Sequence, residues 1–555
     1  MVRATFSGFN TALSALQANQ KRLDITGQNL SNMNTAGYTR QQLEASSLNY
    51  TNPVSHYSNG NETAVGFGVS MDRVSQIRDP YLDIQYRSQS ADCSYTNRLQ
   101  TALNSLSKVL DETTISGIRK AFDDVQSTLT SMQDPAKVSD PIYESELRTK
   151  MQSVCNLFNQ ASRQITQAEQ NEFQRLTGEG SSEQGDVQKI NDILRQIGDL
   201  NVQIKRNQVA GHPSLELQDE RNLLLDELSG YIPVETRYYK DDAHSGNNAY
   251  DYDANGAVIG KKDWPDDLEV SMNYIDAQGK SQKLILVNGS DLGADGLTKN
   301  YGQLSVLKGD HQTAASVSDP ANISIKFEKA PSYKGNGQAA ADVYAELKGI
   351  HFEGGSLQAS LDMLQKKGTG NVINGSVDDV RGYQYYSEKL DQLADTFAKS
   401  MNASNNGNNH KDQNLLSNST DDSTNGITAG NIGISKGWTS GTIHISTDGT
   451  NRTDTILDMI AAMKDTKKLN GKTFADYMNN LSTQLASDSS SNQTALKTGT
   501  TVLNSIQDSR DSLSGVSLDE EATNMMAYVS AYNAASRLMT ALDEVLNTLI
   551  SNTGA

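Results

Sequence analysis

The acidic run at residues 251–256 has the residue types and the spacing of a candidate calcium site. Its sequence, Asp251-Tyr-Asp-Ala-Asn-Gly256, reproduces the first half of a calcium loop, in which oxygen ligands alternate before a glycine turn. The closing position of such a loop requires a bidentate glutamate, but Lys262 occupies it and Asp263 follows one residue later. The sequence therefore favours a polar turn between two strands over a metal site.

The other residue types that commonly do catalysis are not arranged for it. The seven histidines are scattered, and no two have the spacing of zinc ligands or of neighbours on one helix face. Neither a glycine-rich phosphate loop nor the Gly-x-Ser-x-Gly turn of serine hydrolases is present. Cys93 and Cys155 fall in helical patterns, where we expect small buried residues, although a single disulfide between them stays open. The sequence predicts no catalytic residue, no cofactor and no metal, and hence a protein that is not an enzyme.

Charge and composition argue against two classes of partner. The net charge is −19 without a local basic patch, so a phosphate backbone would repel the chain and we expect no nucleic-acid partner. No run of 18 apolar residues is present, which argues against a membrane partner, and the first 20 residues lack the apolar segment of a signal peptide. A cytoplasmic location would follow, unless the chain is exported by a route that reads no such signal.

The elements that could position functional residues begin with a predicted helix at the start of the chain. Its apolar residues recur at steps of three and four, which is the pattern of a heptad seam that another helix must cover. We expect the helix to end near Asn32, because Asn29, Asn32 and Asn34 can bond their own backbone. Gly37 also suits a left-handed turn. The seam residues are Phe6, Phe9, Leu13, Leu16, Leu23 and Leu30.

A comparable seam lies at the other end of the chain, and we predict that the two terminal helices pair as a coiled coil. Residues 1–40 carry four basic side chains and one acidic one, whereas residues 518–555 carry one basic and five acidic side chains, so charge also favours the pairing. Two ordinary amphipathic helices on a globular core remain the alternative. The seam and its flanking apolar residues are Met525, Tyr528, Val529, Ala531, Tyr532, Ala535, Leu538, Met539, Leu542, Val545 and Leu549.

The chain between the ends predicts nested helical pairs around one β domain. The fold class is mainly α with an inserted β domain: the terminal helices pair, a long helical bundle follows, and the subunit is elongated and rod-like. The predicted domains are residues 1–80 (N-terminal coiled-coil helix and extended loop), 81–230 (first half of the bundle), 231–351 (inserted β domain), 352–510 (second half of the bundle, with a small β element near 427–447) and 511–555 (C-terminal coiled-coil helix).

Three local patterns complete the prediction. Alternating apolar residues at 268–274 and 284–287 flank a turn and predict a hairpin. The polar tract 402–426 predicts an exposed loop. A strand pair is predicted at 431–435 with 442–446.

The end of the first helix carries a family resemblance. Residues 29–40, Asn-Leu-Ser-Asn-Met-Asn-Thr-Ala-Gly-Tyr-Thr-Arg, resemble the signature of bacterial flagellar rod, hook and hook-associated subunits, as do residues 514–522 and 528–535 near the C-terminus. Residues 215–228 and 354–358 are similar to segments of the hook-associated protein 1 family, which forms the first hook–filament junction. The resemblance covers roughly residues 1–230 and 350–555 and leaves the β domain without a recognised motif.

The resemblance implies a structural axial subunit that joins hook to filament. Such subunits form a homo-oligomeric ring, contact the hook protein and a second hook–filament junction protein, bind an export chaperone, and leave the cell unfolded without a cleaved signal. The expected location is therefore the extracellular flagellum. Asp519, Glu520 and Glu521 are interpreted first as charges favoured at a helix N-terminus, with a chaperone contact as the sharper alternative. The assembly interface implied by the seams and the signature comprises Phe6, Phe9, Leu13, Leu16, Leu23, Asn29, Leu30, Asn32, Gly37, Tyr38, Arg40, Leu518, Met525, Tyr528, Val529, Tyr532, Leu538, Leu542, Val545 and Leu549.

Two alternatives remain open at this point. A hook or rod subunit shares the terminal signatures, although the 215–228 segment argues against it. A secreted flagellum-borne enzyme or adhesin would act through residues 231–351, where the sequence offers no catalytic constellation.

Overall fold

The structure is a computed structural model of the chain. It describes residues 7–48, 68–110, 117–138, 140–240, 250–252, 258–261, 266–275, 280–289, 299–309, 312–328, 333–334, 338–339, 347–348, 351–373, 376–407, 412–446 and 453–553. The helices are α1 (Ser7–Ser31), α2 (Pro80–Leu110), α3 (Ile118–Ser131), α4 (Pro135–Val138), α5 (Pro141–Thr177), α6 (Asp186–Val209), α7 (Leu215–Tyr231), α8 (Gly355–Gln365), α9 (Tyr383–Asn406), α10 (Lys436–Ser440), α11 (Asp454–Lys464), α12 (Phe474–Ser514) and α13 (Leu518–Thr553). The strands are β1 (Gln41–Ser47), β2 (Val69–Gln76), β3 (Glu235–Lys240), β4 (Tyr250–Tyr252), β5 (Val258–Lys261), β6 (Asp266–Ile275), β7 (Ser281–Asn288), β8 (Gln303–Lys308), β9 (Ile323–Glu328), β10 (Tyr333–Lys334), β11 (Gln338–Ala339), β12 (Leu347–Lys348), β13 (His351–Phe352), β14 (Val372–Ile373), β15 (Ser376–Val377), β16 (Leu416–Asn418) and β17 (Ile432–Ile434).

The long helices begin and end where local chemistry favours it. Asp140 precedes α5 and its carboxylate accepts a hydrogen bond from the Ile142 amide, while Pro141 occupies the first helical position, where it loses no hydrogen bond. The helix ends at Gly178, whose φ of 77° is left-handed. Thr473 caps α12 in the same way by accepting from the amide of Asp476.

Helices from the two halves of the chain pair with one another. The first helix α1 packs against α13, and α2 packs against α12 along its length. The α2–α12 pair is antiparallel, because Ser482 donates to the Leu110 carbonyl at one end while the Arg510 guanidinium lies over the Tyr86 ring, 4.3 Å from its centroid, at the other. The predicted class, mainly α with paired terminal helices and an inserted β domain, is confirmed.

The apolar core of the bundle is built on phenylalanines from opposite halves of the sequence. The Phe122 ring of α3 lies 5.1 Å from Phe397 of α9 and 5.5 Å from Phe474 of α12, measured between ring centroids. Phe158 of α5 makes an edge contact with the Phe122 ring, at 5.9 Å between ring centroids. These rings are fully buried, and such pairs stabilise a core beyond the area they bury.

The inserted β region attaches to the bundle through asparagine side chains. In one sheet β6 pairs with β3, β7 and β13, and in another β9 pairs with β8 and β12. The predicted hairpin is confirmed, with Val270 opposite Val287 and Met272 opposite Leu284. Asn201 of α6 donates to the carbonyls of Leu268 and Gly289, 3.1 Å each, which ties the hairpin to the helix.

The first two residues of the candidate calcium run, Asp251 and Tyr252, belong to strand β4. β4 and β5 are antiparallel neighbours, as the interpretation of a turn between strands requires. Residues 253–257 and 262–265, which hold most of the candidate ligands, lie outside the described residues. Among the residues with described side chains, no group of three or more His, Cys, Asp or Glu side chains could hold a metal ion. None of the helices in the described ranges combines the length and the hydropathy of a membrane span.

Three predictions about short segments were wrong. The tract 402–426 is not one exposed loop, because α9 runs to Asn406 and its Asn402 and Asn405 amides are buried and donate to the carbonyls of Leu416 and Gln413. The partner of β17 is β16 at 416–418 rather than residues 442–446. Strand β1, which pairs with β2, lies in a stretch that the sequence analysis treated as loop. In the tract 402–426, buried side-chain amides take the place of backbone groups as hydrogen-bond partners. Because these side chains are polar, the composition predicted an exposed loop.

Candidate assembly junction between the chain termini

The two terminal helices form an antiparallel pair with a constant register. A β-carbon placed on Gly8 would lie 3.4 Å from both δ-carbons of Leu542, so the helices approach closely there. Further along, the Arg22 guanidinium lies 5.6 Å from the centroid of the Tyr528 ring. The same number of residues separates these positions on both helices, so the register holds over about four turns.

The residues that α1 buries differ from its predicted seam. Leu13 is 46% exposed and Phe9, Leu16, Leu23 and Leu30 are half-buried, while Phe6 lies outside the described residues. Both α13 and the β1–β2 hairpin lie against α1, and small or polar side chains allow that close approach. The buried residues of α1 are Ala12, Ala18, Asn19, Ile25, Thr26 and Asn29.

The helix α13 also leaves large apolar side chains on its outer surface. Met525, Tyr528, Tyr532 and Leu542 are half-buried on the stripe that also carries the buried Ala535. Several seam residues point elsewhere and are 43–59% exposed: Leu518, Val529, Leu538, Val545 and Leu549. The terminal pair therefore covers only part of the apolar surface that its sequence carries.

The signature residue Asn29 fixes the turn that follows α1. Its side-chain carbonyl accepts hydrogen bonds from the Tyr38 hydroxyl at 2.9 Å and the Gln41 amide at 3.0 Å, and its NH2 donates to the Gln41 carbonyl at 3.0 Å. Asn29 is 1% exposed. Gly37 takes a φ of 78°, which favours glycine, and so turns the chain back towards the helix. Burial raises the pKa of Tyr38 well above its usual value, so its hydroxyl stays protonated and able to donate.

The next residue, Thr39, binds the turn to helix α7. The Thr39 amide and hydroxyl donate to the two oxygens of the Asp219 carboxylate, at 3.1 and 2.6 Å. Burial raises the pKa of Asp219 to about 6, against the opposing effect of the Thr39 hydrogen bonds and of Arg78, whose guanidinium lies 4.0 Å away. A carboxylate in the 215–228 segment therefore positions the terminal signature.

Arg40 connects the same turn to the start of α13. Its guanidinium donates to Glu521 at 2.8 Å and to Glu520 at 2.6 Å, and its amide donates to the Ser514 carbonyl at 2.9 Å. The Glu521 side chain is only 3% exposed, whereas that of Glu520 is 61% exposed. The acidic start of α13 is thus an ionic contact with the signature arginine as well as a favourable helix-dipole arrangement.

Behind this turn, buried ion pairs bind three helices together. Arg510 of α12 contacts Asp83 of α2 at 3.1 Å and Asp226 of α7 at 2.7 Å. Arg87 of α2 contacts the other oxygen of Asp226 at 2.8 Å, and Arg78 pairs with Asp83. Loss of one partner from such a network leaves a buried charge uncompensated. Separating the three helices would therefore cost free energy, and the ion pairs stabilise the junction.

The structure brings together part of the predicted interface and adds residues that the sequence analysis missed. Asn29, Gly37, Tyr38 and Arg40 converge at the junction, whereas Asn32 is half-buried and its side chain bonds the Gln28 carbonyl of α1. The missed residues are Arg78, Asp83, Arg87, Asp219, Asp226 and Arg510. Part of this set carried a signal, because positions 219, 222 and 226 step by three and four and so place polar residues on one face of α7.

Comparison with known proteins identifies the family. A sequence profile for the helical domain of the flagellar hook-associated protein FlgK matches residues 103–415, more than half of the chain. The chain belongs to the FlgK family. Two further profiles match segments of this FlgK family member that contain its terminal helices: the flagella basal body rod protein over residues 9–39 and the C-terminal region of the flagellar basal body rod proteins FlgEFG over residues 509–552. The predicted family resemblance is confirmed.

Individual relatives carry related names. The flagellar hook-associated protein 1 of Bacillus subtilis is 29% identical over 568 residues, covering 99% of either chain. Its namesake in Salmonella typhimurium is 28% identical over 41% of this chain and 38% of that protein. The solved structure of the flagellar hook junction protein FlgK from Burkholderia pseudomallei is 19% identical, with a TM-score of 0.36 over 61% of this chain and 45% of that one. As a FlgK family member, the chain is a structural component of the flagellar axis.

Proposed function

We propose that this chain joins the flagellar hook to the filament and polymerises through the outer faces of its terminal helices. The observation that carries the proposal is the apolar surface left on the α1–α13 pair, where Leu13, Leu538 and Val545 are 46%, 49% and 59% exposed. Exposed apolar patches mark interaction surfaces, and burying one such side chain stabilises a contact by about 1.5–3 kcal/mol. Side chains at this spacing suit the packing of further helices against the pair.

The proposed interface has two parts with different roles. The exposed seam residues Leu13 on α1 and Leu538 and Val545 on α13 face neighbouring subunits. Asn29, Gly37, Tyr38 and Arg40 instead hold the terminal pair at a fixed angle to the bundle, through Asp219 and Glu521. A polymer needs both, because a neighbour can dock reproducibly only on a pair whose orientation is fixed.

The proposed partners follow from this position in the flagellum. Copies of the chain form a ring, the hook protein lies on one side and the second hook–filament junction protein on the other, and an export chaperone binds before assembly. The chain is exported unfolded, without a cleaved signal peptide, and acts outside the cell. Its role is structural rather than enzymatic, with no nucleic-acid or membrane partner, and the β domain 231–351 faces outward.

The interface is tested by placing charge on the outer faces. A Leu13→Glu/Leu538→Glu variant keeps a folded monomer, because both side chains already contact water, but cannot bury these positions against a neighbour. The matched control is Leu457→Glu on α11, a leucine that is also 46% exposed and lies away from the termini. Each variant is expressed in a strain that lacks its own copy of the gene, and filaments are counted by electron microscopy.

We expect normal filaments with the control and few or none with the double variant, at equal melting temperatures of the purified monomers. Normal filaments on cells expressing the double variant would contradict the proposed interface. Loss of filaments with both variants would show that any charge on an exposed leucine is harmful and would equally remove the support for it.

A further inference from the structure

Four Asn-Gly pairs in the described residues can undergo the same self-modification. The glycine nitrogen attacks the side-chain carbonyl carbon of the asparagine, ammonia leaves, and a five-membered succinimide forms. Water then opens the ring to aspartate or to isoaspartate, so the net change is the gain of water and the loss of ammonia. Glycine favours this reaction because it has no β-carbon to hinder the approach. The pairs are 288–289, 406–407, 425–426 and 470–471; four others, at 59–60, 255–256, 336–337 and 374–375, lie wholly or partly outside the described residues.

In three of the four pairs, the backbone holds the attacking nitrogen. The Gly471 amide donates to the Thr466 carbonyl at 2.8 Å, and the Gly289 amide donates to the Leu268 carbonyl at 3.0 Å. The Gly407 amide donates to the Ala403 carbonyl at 3.1 Å, at the end of α9. Each of these bonds must break before the nitrogen can turn towards the asparagine side chain.

The fourth pair, Asn425-Gly426, has no such restraint. Both residues are exposed, and within the described part of the chain the Gly426 amide makes no hydrogen bond. The pair sits in the turn between β16 and β17. The Asn425 amide donates to the Ser423 hydroxyl at 3.1 Å, and the Asn431 side chain donates to the Gly426 carbonyl at 3.0 Å. That bond fixes the carbonyl side of Gly426 and leaves its nitrogen free to move.

We propose that Asn425 is a site of spontaneous deamidation and that it reacts faster than the asparagines of the three restrained pairs. The product places a new negative charge close to Asp421 and Asp422 in a chain whose net charge is already −19. The isoaspartyl form also adds one carbon to the main chain just before Ile427, which is buried, and Ala429, whose amide donates to Asp391. Deamidation therefore alters the turn that anchors β16 and β17 to α9.

The test uses the full-length protein, aged in mildly alkaline buffer made with ¹⁸O-labelled water. Peptide mass spectrometry measures label incorporation at the four asparagines in the same sample, so the three restrained pairs serve as internal controls. A parallel sample is aged in urea, where no backbone restraint survives, and an Asn425→Gln variant confirms the site.

In the folded protein we expect Asn425 to react about fivefold faster than the restrained asparagines, a ratio that corresponds to about 1 kcal/mol, the contribution of one backbone hydrogen bond. In urea the four rates should converge to within a few-fold. Equal rates at Asn425 and Asn470 in the folded protein would overturn the proposal. The same preference for Asn425 in urea would also overturn it, because the cause would then be the neighbouring residues rather than the fold.

Discussion

At the scale of single residues, Asn29 carries more of the junction than any other signature side chain. It satisfies both backbone groups of Gln41 and the hydroxyl of Tyr38 while being almost completely buried. A short amide can do this because it offers an acceptor and two donors within one planar group. One asparagine of the Asn-rich turn therefore makes the contacts that hold it, whereas the Asn32 side chain bonds the Gln28 carbonyl of α1.

Asn29→Ala should loosen the first residues of β1. The substitution leaves the Gln41 amide and carbonyl without side-chain partners, at a cost of about 1–3 kcal/mol. Hydrogen exchange followed by mass spectrometry should show faster exchange in peptides that cover residues 38–47. The control, Asn32→Ala, removes an exposed bond within α1 and should leave that peptide unchanged. Equal protection in both variants would contradict the role assigned to Asn29.

The raised pKa of Asp219 predicts that the stability of the folded protein depends on pH. Its folded-state pKa is raised to about 6, above the unfolded value of about 3.9, so the folded state binds its proton more tightly. The stabilisation from this proton is complete below pH of about 4 and is lost as the pH rises through about 6. Unfolding measured by urea titration across this window should therefore lose stability with rising pH in the wild type relative to Asp219→Asn, which has no proton to release. Parallel curves for the two proteins would rule out the shift at Asp219.

At the scale of elements, the sequence predicted helices well and their contact faces poorly. Periodicity located α1 and α13, because each repeats apolar residues at steps of three and four. The face that α1 buries carries Ala12 and Ala18, whose small side chains give a weak hydropathy signal, while the stronger signal of Leu13 belongs to the outer surface. A seam in sequence indicates that a surface will be buried, but not whether a partner in the same chain or in a neighbour buries it.

The charged part of the junction could not be predicted for a different reason. Asp83, Asp226 and Arg510 come from three helices, and their contacts depend on how those helices pack. Arg40 was identified from the signature, but its partner Glu521 was interpreted first as a helix-dipole charge and alternatively as a chaperone contact, not as an ion-pair partner. Ion pairs between distant segments leave no periodicity in either segment, so only the tertiary structure reveals them.

The pairing of Arg40 with Glu521 can be measured by a double-mutant cycle. Glu521 is 3% exposed, so the coupling between Arg40→Ala and Glu521→Ala should reach about 1–3 kcal/mol in the free energy of unfolding. The control cycle uses Arg73 and Glu44, which pair at 2.7 Å but are 49% and 38% exposed, and whose coupling should be about 0–1 kcal/mol. A coupling for Arg40 and Glu521 no larger than that of the exposed pair would show that this contact does not hold α13 to the turn.

At the scale of the whole molecule, the chain is organised so that its two ends meet. The antiparallel pairs α1–α13 and α2–α12 return the C-terminus to the N-terminus, and the β region is inserted between the two halves of the bundle. This plan places both terminal helices on one surface, through which we propose that the chain polymerises. The buried ion pairs around Arg510 then fix the position of the terminal pair relative to the bundle.

The proposed place at the hook–filament junction is tested most directly by deleting the gene in its host and examining the cells by electron microscopy and the culture supernatant by immunoblotting. We predict hooks that carry no filament, together with flagellin released into the medium, and restoration of filaments by the wild-type gene supplied on a plasmid. Normal filaments on the deletion strain would contradict a role in joining hook to filament.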